Sequence, residues 1–205
     1  MSFAEELIER SLSTRHDVAT AEIQEIIEAT YRVIAATGRL DPPVRAILAE
    51  AGLSNPAFYR YFASKDELLL VMLDEGRRQL VAYLEHRTGG ADSVDDRVAE
   101  WIRGVLAQAA DPDAARRTRP FVVDVDRLHQ RFPRAQEASE RQLVDQLAGL
   151  LAERSEWAAP IYRFTFAELE RHLRAASVPT AVDIERVVAF ALAGSQAPTP
   201  EGTPG

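Results

Sequence analysis

The stretch AGLSNPAFYRYFASKDELLL, residues 51–70, packs one glycine, one proline, four aromatics and a leucine run into twenty positions. Its punctuation defines two helix starts. Gly52 stops whatever precedes it, and Ser54 followed by Pro56 opens a short helix over about 55–61, because serine caps and proline is tolerated where the first N–H groups lack partners. Ser64 and Glu67 then form a capping box for a long helix, the serine accepting from the third helical N–H and the glutamate reaching back. Phe58 and Phe62 are four apart, so they share one face and pack inward. Asn55, Ala57, Tyr59, Arg60 and Tyr61 are left for the outside. Arginine can bond guanine O6 and N7 through two nitrogens, and tyrosine hydroxyls suit phosphates. Two short helices joined at Gly52-Leu53-Ser54 therefore predict a helix-turn-helix whose second helix enters the major groove.

Outward from there, almost everything reads as helix. Ile23, Ile26, Ile27, Tyr31 and Ile34 recur at helical spacing and predict a supporting helix over 20–37, ended by Gly38. Asp41-Pro42-Pro43 is expected to open the next helix, with Asp41 as N-cap. Residues 66–87 read as one long helix, 88–93 as a linker, and 94–110, 114–131, 134–156, 160–176 and 181–194 as further helices. Residues 1–18 can form a helix with Phe3, Leu7, Ile8 and Leu12 on one side. The expected fold is all-α: an N-terminal extension (1–19), a three-helix DNA-binding domain (20–65), a larger helical domain for ligand binding and dimerisation (66–195) and a disordered tail (196–205).

The segment from Thr20 to Leu70 resembles the N-terminal domain of TetR-type transcriptional regulators. The resemblance rests on Gly38, Ile47, Ala51-Gly52-Leu53-Ser54, Phe58-Tyr59-Arg60-Tyr61-Phe62, Ser64-Lys65 and Glu67-Leu68-Leu69. It implies an all-helical homodimer that binds a double-stranded operator through this domain and a small effector through the other. Pro56, Ala57, Tyr59, Arg60 and Tyr61 would face DNA and Lys65 would touch phosphate; Arg45, Ser54 and Asn55 complete the candidate set. Three positions depart from the family pattern. Pro43 stands where a threonine is common, Leu48 where a small alanine is usual, and Ala57 lacks a hydroxyl that many members have.

The chain has 205 residues, a net charge of −8 and no cysteine. That length buries a sizeable core without staples, and the lack of cysteine excludes disulfides, thiolate metal sites and cysteine nucleophiles. An acidic total argues against nucleic acid, but distribution matters more than the sum. Residues 39–65 carry four basic and two acidic side chains, a local +2, and include the chain's one lysine, Lys65. The acids Glu5, Glu6 and Glu9 are wrong for a signal peptide, and no apolar run reaches the roughly 20 residues of a membrane span. A cytoplasmic protein with no membrane partner is expected.

The pairs Asp126/His129 and Glu168/His172 share helical faces but lack further ligands nearby, and Asp124 and Asp126 point apart, so no metal site is expected. They read as solvated polar faces. With no phosphate-binding glycine loop or nucleophile elbow, neither an enzyme nor a cofactor is expected. Trp101, Phe121, His129, Trp157 and Tyr162, with Phe164, are either core or the lining of an apolar effector pocket, for which Arg103 and Arg127 are further polar candidates. Phe166, Leu169 and Leu173 form one stripe with Tyr162, and Ile184, Val187, Val188, Ala191 and Leu192 another; these are either ordinary core or a four-helix dimer interface, two helices from each subunit, and the interface is the favoured reading, with some of them serving the subunit's own core as well. The functional expectation is a ligand-responsive repressor. The alternative is a helical dimeric ligand-binding or protein-interaction module that no longer binds DNA.

Overall fold

The computed structural model describes residues 3–38, 40–123 and 130–196, and there is no strand among them. The helices are α1 (Phe3–Thr37), α2 (Val44–Ala51), α3 (Asn55–Tyr61), α4 (Lys65–Thr88), α5 (Val94–Ala110), α6 (Pro112–Val123), α7 (Pro133–Leu151), α8 (Ala158–Ala175) and α9 (Ala181–Gln196), with a 3-10 segment, Ala152–Trp157, between α7 and α8. Two compact units divide at Met72/Leu73, seven residues beyond the expected boundary. The reason is that Leu68, Leu69 and Met72, in the first turns of α4, are buried and belong with the first unit. Of the expected tail, residues 196–205, Gln196 is the last residue of α9, and residues 197–205 lie outside the described residues, as do Asp124, Asp126, Arg127 and His129.

In the first unit, α1 packs against α2 and α3. Ile26, Ile27 and Ile34 of α1 are buried, as are Ile47 and Leu48 of α2, and Phe58 and Phe62 at α3. Leu48 is therefore accommodated in the core. Helix α1 is continuous over 35 residues, because residues 3–37 contain neither glycine nor proline. Among the side chains named for its first half, Leu12 is exposed; those of Phe3, Leu7 and Ile8 lie outside the described residues.

The start of α2 differs from expectation. The helix begins at Val44 with Pro43 as N-cap in an extended conformation, φ −63° and ψ 137°. A residue before proline is pushed out of the helical region, so the Pro42-Pro43 pair delays the first turn and leaves Asp41 outside it. The other end behaves as read. Gly52 adopts φ 66° and donates to the Leu48 carbonyl, and Leu53 N–H donates to the same carbonyl at 3.0 Å, a left-handed cap that satisfies helix-end acceptors. A Cβ on Gly52 would meet nothing within 4 Å, so Gly52→Ala should cost only the left-handed backbone penalty, about 1–2 kcal/mol. Chemical denaturation checks this; an unchanged midpoint would mean that the turn relaxes freely.

The second unit is built around α5, which touches α6, α7, α8 and α9. Val98, Trp101, Ile102, Val105 and Leu106 are all essentially inaccessible, as expected of a helix with a wide apolar face and a narrow polar one. Gly104 lies where a Cβ would come within 2.6 Å of the Leu84 side chain, so the small residue permits the approach of α4. Ser93 accepts from Asp96 N–H at 3.0 Å and caps α5. Thr180 Oγ1 likewise accepts from Asp183 N–H at 3.2 Å and caps α9, while the Thr180 hydroxyl and N–H donate to Asp183 Oδ2 at 2.7 and 3.0 Å and hold that carboxyl below its ordinary range. His172 is buried, not solvated. Its Nδ1 pairs with Ser177 Oγ and its Nε2 with Arg171, both at 2.9 Å, closing the end of α8. Glu168 pairs with Arg171.

Candidate nucleic-acid interface

Helix α3 presents two faces. Ala57 and Phe58 are buried, and the Phe58 ring lies 5.5 Å from that of Phe62 and 5.3 Å from that of Tyr59. The expectation that Ala57 faces outward is thus corrected. In helical projection it lies beside Phe58 and four residues before the half-buried Tyr61, so the inward stripe is wider than the two phenylalanines alone. Ser54, Asn55, Pro56, Tyr59 and Arg60 are exposed, and so is Arg45 on α2. Ser54 is the N-cap residue, but its side chain makes no capping bond. The capping box of α4 forms as read: Glu67 N–H donates to Ser64 Oγ at 3.2 Å, and Glu67 Oε2 accepts from Ala63 N–H at 2.5 Å.

The exposed donors of this face are held by acids from elsewhere in the unit. Tyr61 donates its hydroxyl hydrogen to Glu22 Oε2 at 2.5 Å, and Arg60 NH1 donates to the same oxygen at 3.2 Å. The bond to Glu22 is the main reason that the Tyr61 hydroxyl is raised above its ordinary pKa. The Arg60 guanidinium lies 5.5 Å from the Tyr61 ring centre. Lys65 is ion-paired with Asp41, which gives the displaced aspartate its role. Behind the face, Arg32 of α1 bonds Glu50 of α2 at 2.6 Å and Glu25 at 2.7 Å, and both bonds raise its pKa. These pairs are solvent-facing and contribute little to stability; what they fix is direction. Glu22 and Asp41 were missed as interface residues because their partners lie far along the chain, with no local spacing to betray them.

Of the candidate effector residues, Trp101 belongs to the core of the second unit, and Trp157 and Tyr162 pack against that core. Trp101 is fully buried, its Nε1 donates to Gln146 Oε1 at 3.0 Å, and Gln146 Nε2 donates to the Val81 carbonyl at 3.0 Å. Phe166 joins it to Tyr162, with ring centres 6.4 Å and 4.4 Å away. Burial pushes the Tyr162 hydroxyl up to about 12, so it stays protonated at neutral pH. Trp157 instead lies against Gly194, and Phe121 is half-buried. Arg103 is committed to Glu185 and Glu100.

The residues expected at the dimer surface divide into two groups within one chain. Leu169, Leu173, Val187, Val188 and Ala191 are at most 5% exposed within one chain, and Phe166, Ile184 and Leu192 pack half-buried on the same core. The five buried residues serve the subunit's own interior, since both helices pack against α5. The apolar groups left outside on and beside α9 are Val178, Val182 and Phe190, at 63%, 71% and 62% exposure. Phe190 stacks on Phe164 of α8 at 4.5 Å.

A family model described as "Bacterial regulatory proteins, tetR family" matches residues 26–72, which hold α2, α3 and their supports. The HTH-type transcriptional regulator BetI of Brucella anthropi is 34% identical over 79 residues, 38% of this chain and 41% of that protein. The match thus spans less than half of that relative's length. Over the whole fold, a transcriptional regulator from Rhodococcus sp. Rha1 superposes with a TM-score of 0.70 at 17% identity, over 84% of this chain and 94% of that one. The fatty acid degradation regulator FadR from Bacillus halodurans does so with a TM-score of 0.66 at 18% identity, over 86% and 97%. Among the described residues no helix is long and apolar enough to cross a membrane, and no group of three or more His, Cys, Asp or Glu could hold a metal ion.

Proposed function

We propose that this chain, whose residues 26–72 match the tetR family model, is a homodimeric repressor that binds a palindromic operator and is released by a small apolar or aromatic effector. The observation that carries the DNA-reading part is α3 itself: Phe58 anchors it from within while Asn55, Tyr59 and Arg60 stand outside. A two-fold operator calls for a two-fold protein. The exposed Phe190, stacked on Phe164, with Val182 and Val178, is the surface best suited to supply it. Effector release is a population shift, in which the ligand prefers a recognition-helix spacing that does not match successive major grooves. Helix α4 is the covalent route for that signal, since it begins before Met72 and runs on to Thr88. The neighbourhood of Trp101, Tyr162 and Phe166 is the proposed contact region for an aromatic ligand.

The alternative, a helical module without DNA binding, draws on one observation: Arg60 and Lys65 are both already paired with acids. Gel shift with the DNA flanking the protein's own gene separates the two. Retardation that an effector abolishes supports the repressor. No retardation at low salt, with no effector present, supports the alternative.

The two basic residues should fail differently. Arg60→Ala should weaken operator binding by about 1–3 kcal/mol and relax preference at one symmetric pair of positions. Lys65→Ala should weaken binding to all sequences alike and flatten the salt dependence by about one unit of slope per subunit. Titrations across a salt series check both. Identical effects on specific and random DNA from Arg60→Ala would make Arg60 a phosphate contact only.

A further inference from the structure

We propose that Glu22 is a specificity-determining positioning residue, fixing the guanidinium of Arg60 for base reading, and that its charge lowers affinity for all DNA alike. This rests on the DNA-reading role of α3. Glu22 belongs to α1, outside the helix-turn-helix, yet one of its oxygens takes a hydrogen from Arg60 NH1 and the hydroxyl hydrogen of Tyr61. Arg60 is otherwise well exposed, with 58% of its side chain accessible against 26% for Glu22, so its direction depends on that anchor.

The bond to Glu22 uses only NH1, and the other bond of Arg60 among the described residues is also from NH1, to the Tyr61 hydroxyl at 3.4 Å. The edge formed by Nε and NH2 is left to address guanine O6 and N7, a planar fork that suits two acceptors. A guanidinium held at one nitrogen and stacked beside Tyr61 loses less freedom on docking than a free arginine. Tyr61 has one hydrogen and has given it to Glu22, so it cannot donate to a phosphate while the pair stands. This revises the phosphate role expected for Tyr61.

The carboxylate also acts by its charge. Every DNA sequence brings phosphates near this face, and an acid there opposes all of them. Only a sequence with guanine in the right place returns two hydrogen bonds through Arg60. The repulsion lowers every affinity alike, and the preference among sequences comes from the fork of Arg60 that Glu22 holds in place.

The test uses the full chain and compares its selected operator, the operator changed at the position read by Arg60, and a random duplex, at one salt concentration. Glu22→Gln keeps an acceptor and removes the charge. It should raise random-duplex affinity roughly three- to ten-fold and keep the base preference. Glu22→Ala should raise random-duplex affinity as well, and reduce the base preference about ten-fold, as expected when a bidentate contact is lost. The double variant Glu22→Ala/Arg60→Ala should show no less base preference than Arg60→Ala alone. Unchanged preference in Glu22→Ala, or additive losses in the double variant, overturns the proposal. If Glu22→Ala fails to fold, the Gln variant still decides, because random-duplex affinity equal to wild type overturns it. A wild-type protein that selects no sequence removes the DNA-reading function and this inference together; an operator read unchanged by the Glu22 variants removes this inference alone.

Discussion

Phe58→Ala should unfold the DNA-binding unit, at a cost of about 3–5 kcal/mol, and abolish operator binding with it. The Phe58 side chain is fully buried, and it lies in a helix of only seven residues. A helix that short has no stability of its own. Its position comes from the aromatic contacts of Phe58 and Phe62, and from Ala57 turned inward beside them. Truncation leaves a cavity that the chain has few means to close. Denaturation followed by circular dichroism should show an early transition that wild type lacks, with the second unit melting later. The Arg60→Ala protein is the comparison: it should lose base preference with its fold intact, since Arg60 is exposed. Native-like stability in Phe58→Ala would mean that α3 is held by contacts other than its core face.

Val188→Asp and Phe190→Asp, two residues apart on α9, should have opposite consequences. Val188 is 5% exposed within one chain and Phe190 is 62% exposed. An aspartate at 188 would place an uncompensated charge in the core around α5, a cost of about 3–5 kcal/mol, and the protein should be insoluble or unfolded. An aspartate at 190 meets water in the isolated subunit. It should leave the fold intact and, if the Phe164/Phe190 surface joins two copies, yield a monomer. Light scattering and circular dichroism read both outcomes. A folded monomer from Val188→Asp would return the interface to the inner stripe. A stable dimer from Phe190→Asp would place the interface elsewhere on the surface.

The contrast between these two residues shows what the sequence made legible. Helical spacing identified apolar stripes on α8 and α9 correctly, because periodicity reports which residues share a face. It cannot report what the face meets. Leu169, Leu173, Val187 and Val188 found their partner inside the chain, in the wide apolar face of α5. The residues left for a partner, such as Phe190 and Val182, sit off the ideal stripe. The helix-turn-helix was legible for a different reason. Its signals are local: Gly52 with its positive φ, Ser64 with Glu67, Phe58 with Phe62. Asp41 misled because a capping signal next to proline competes with proline's own constraint on the preceding residue. Its carboxylate went to Lys65. Glu22 was illegible for want of any short-range pattern, since its bonds span 38 and 39 residues.

The central claim is that α3 reads DNA sequence, and the most direct measurement is selection by the full-length protein from a random duplex library at low salt with no effector added, followed by sequencing. A TetR-type reader predicts enrichment of an inverted repeat whose half-sites lie about one helical turn, or a multiple of it, apart, with Arg60→Ala losing preference at one symmetric pair of positions. A library that emerges as random as it entered, from protein whose first unit is shown to be folded, would contradict it.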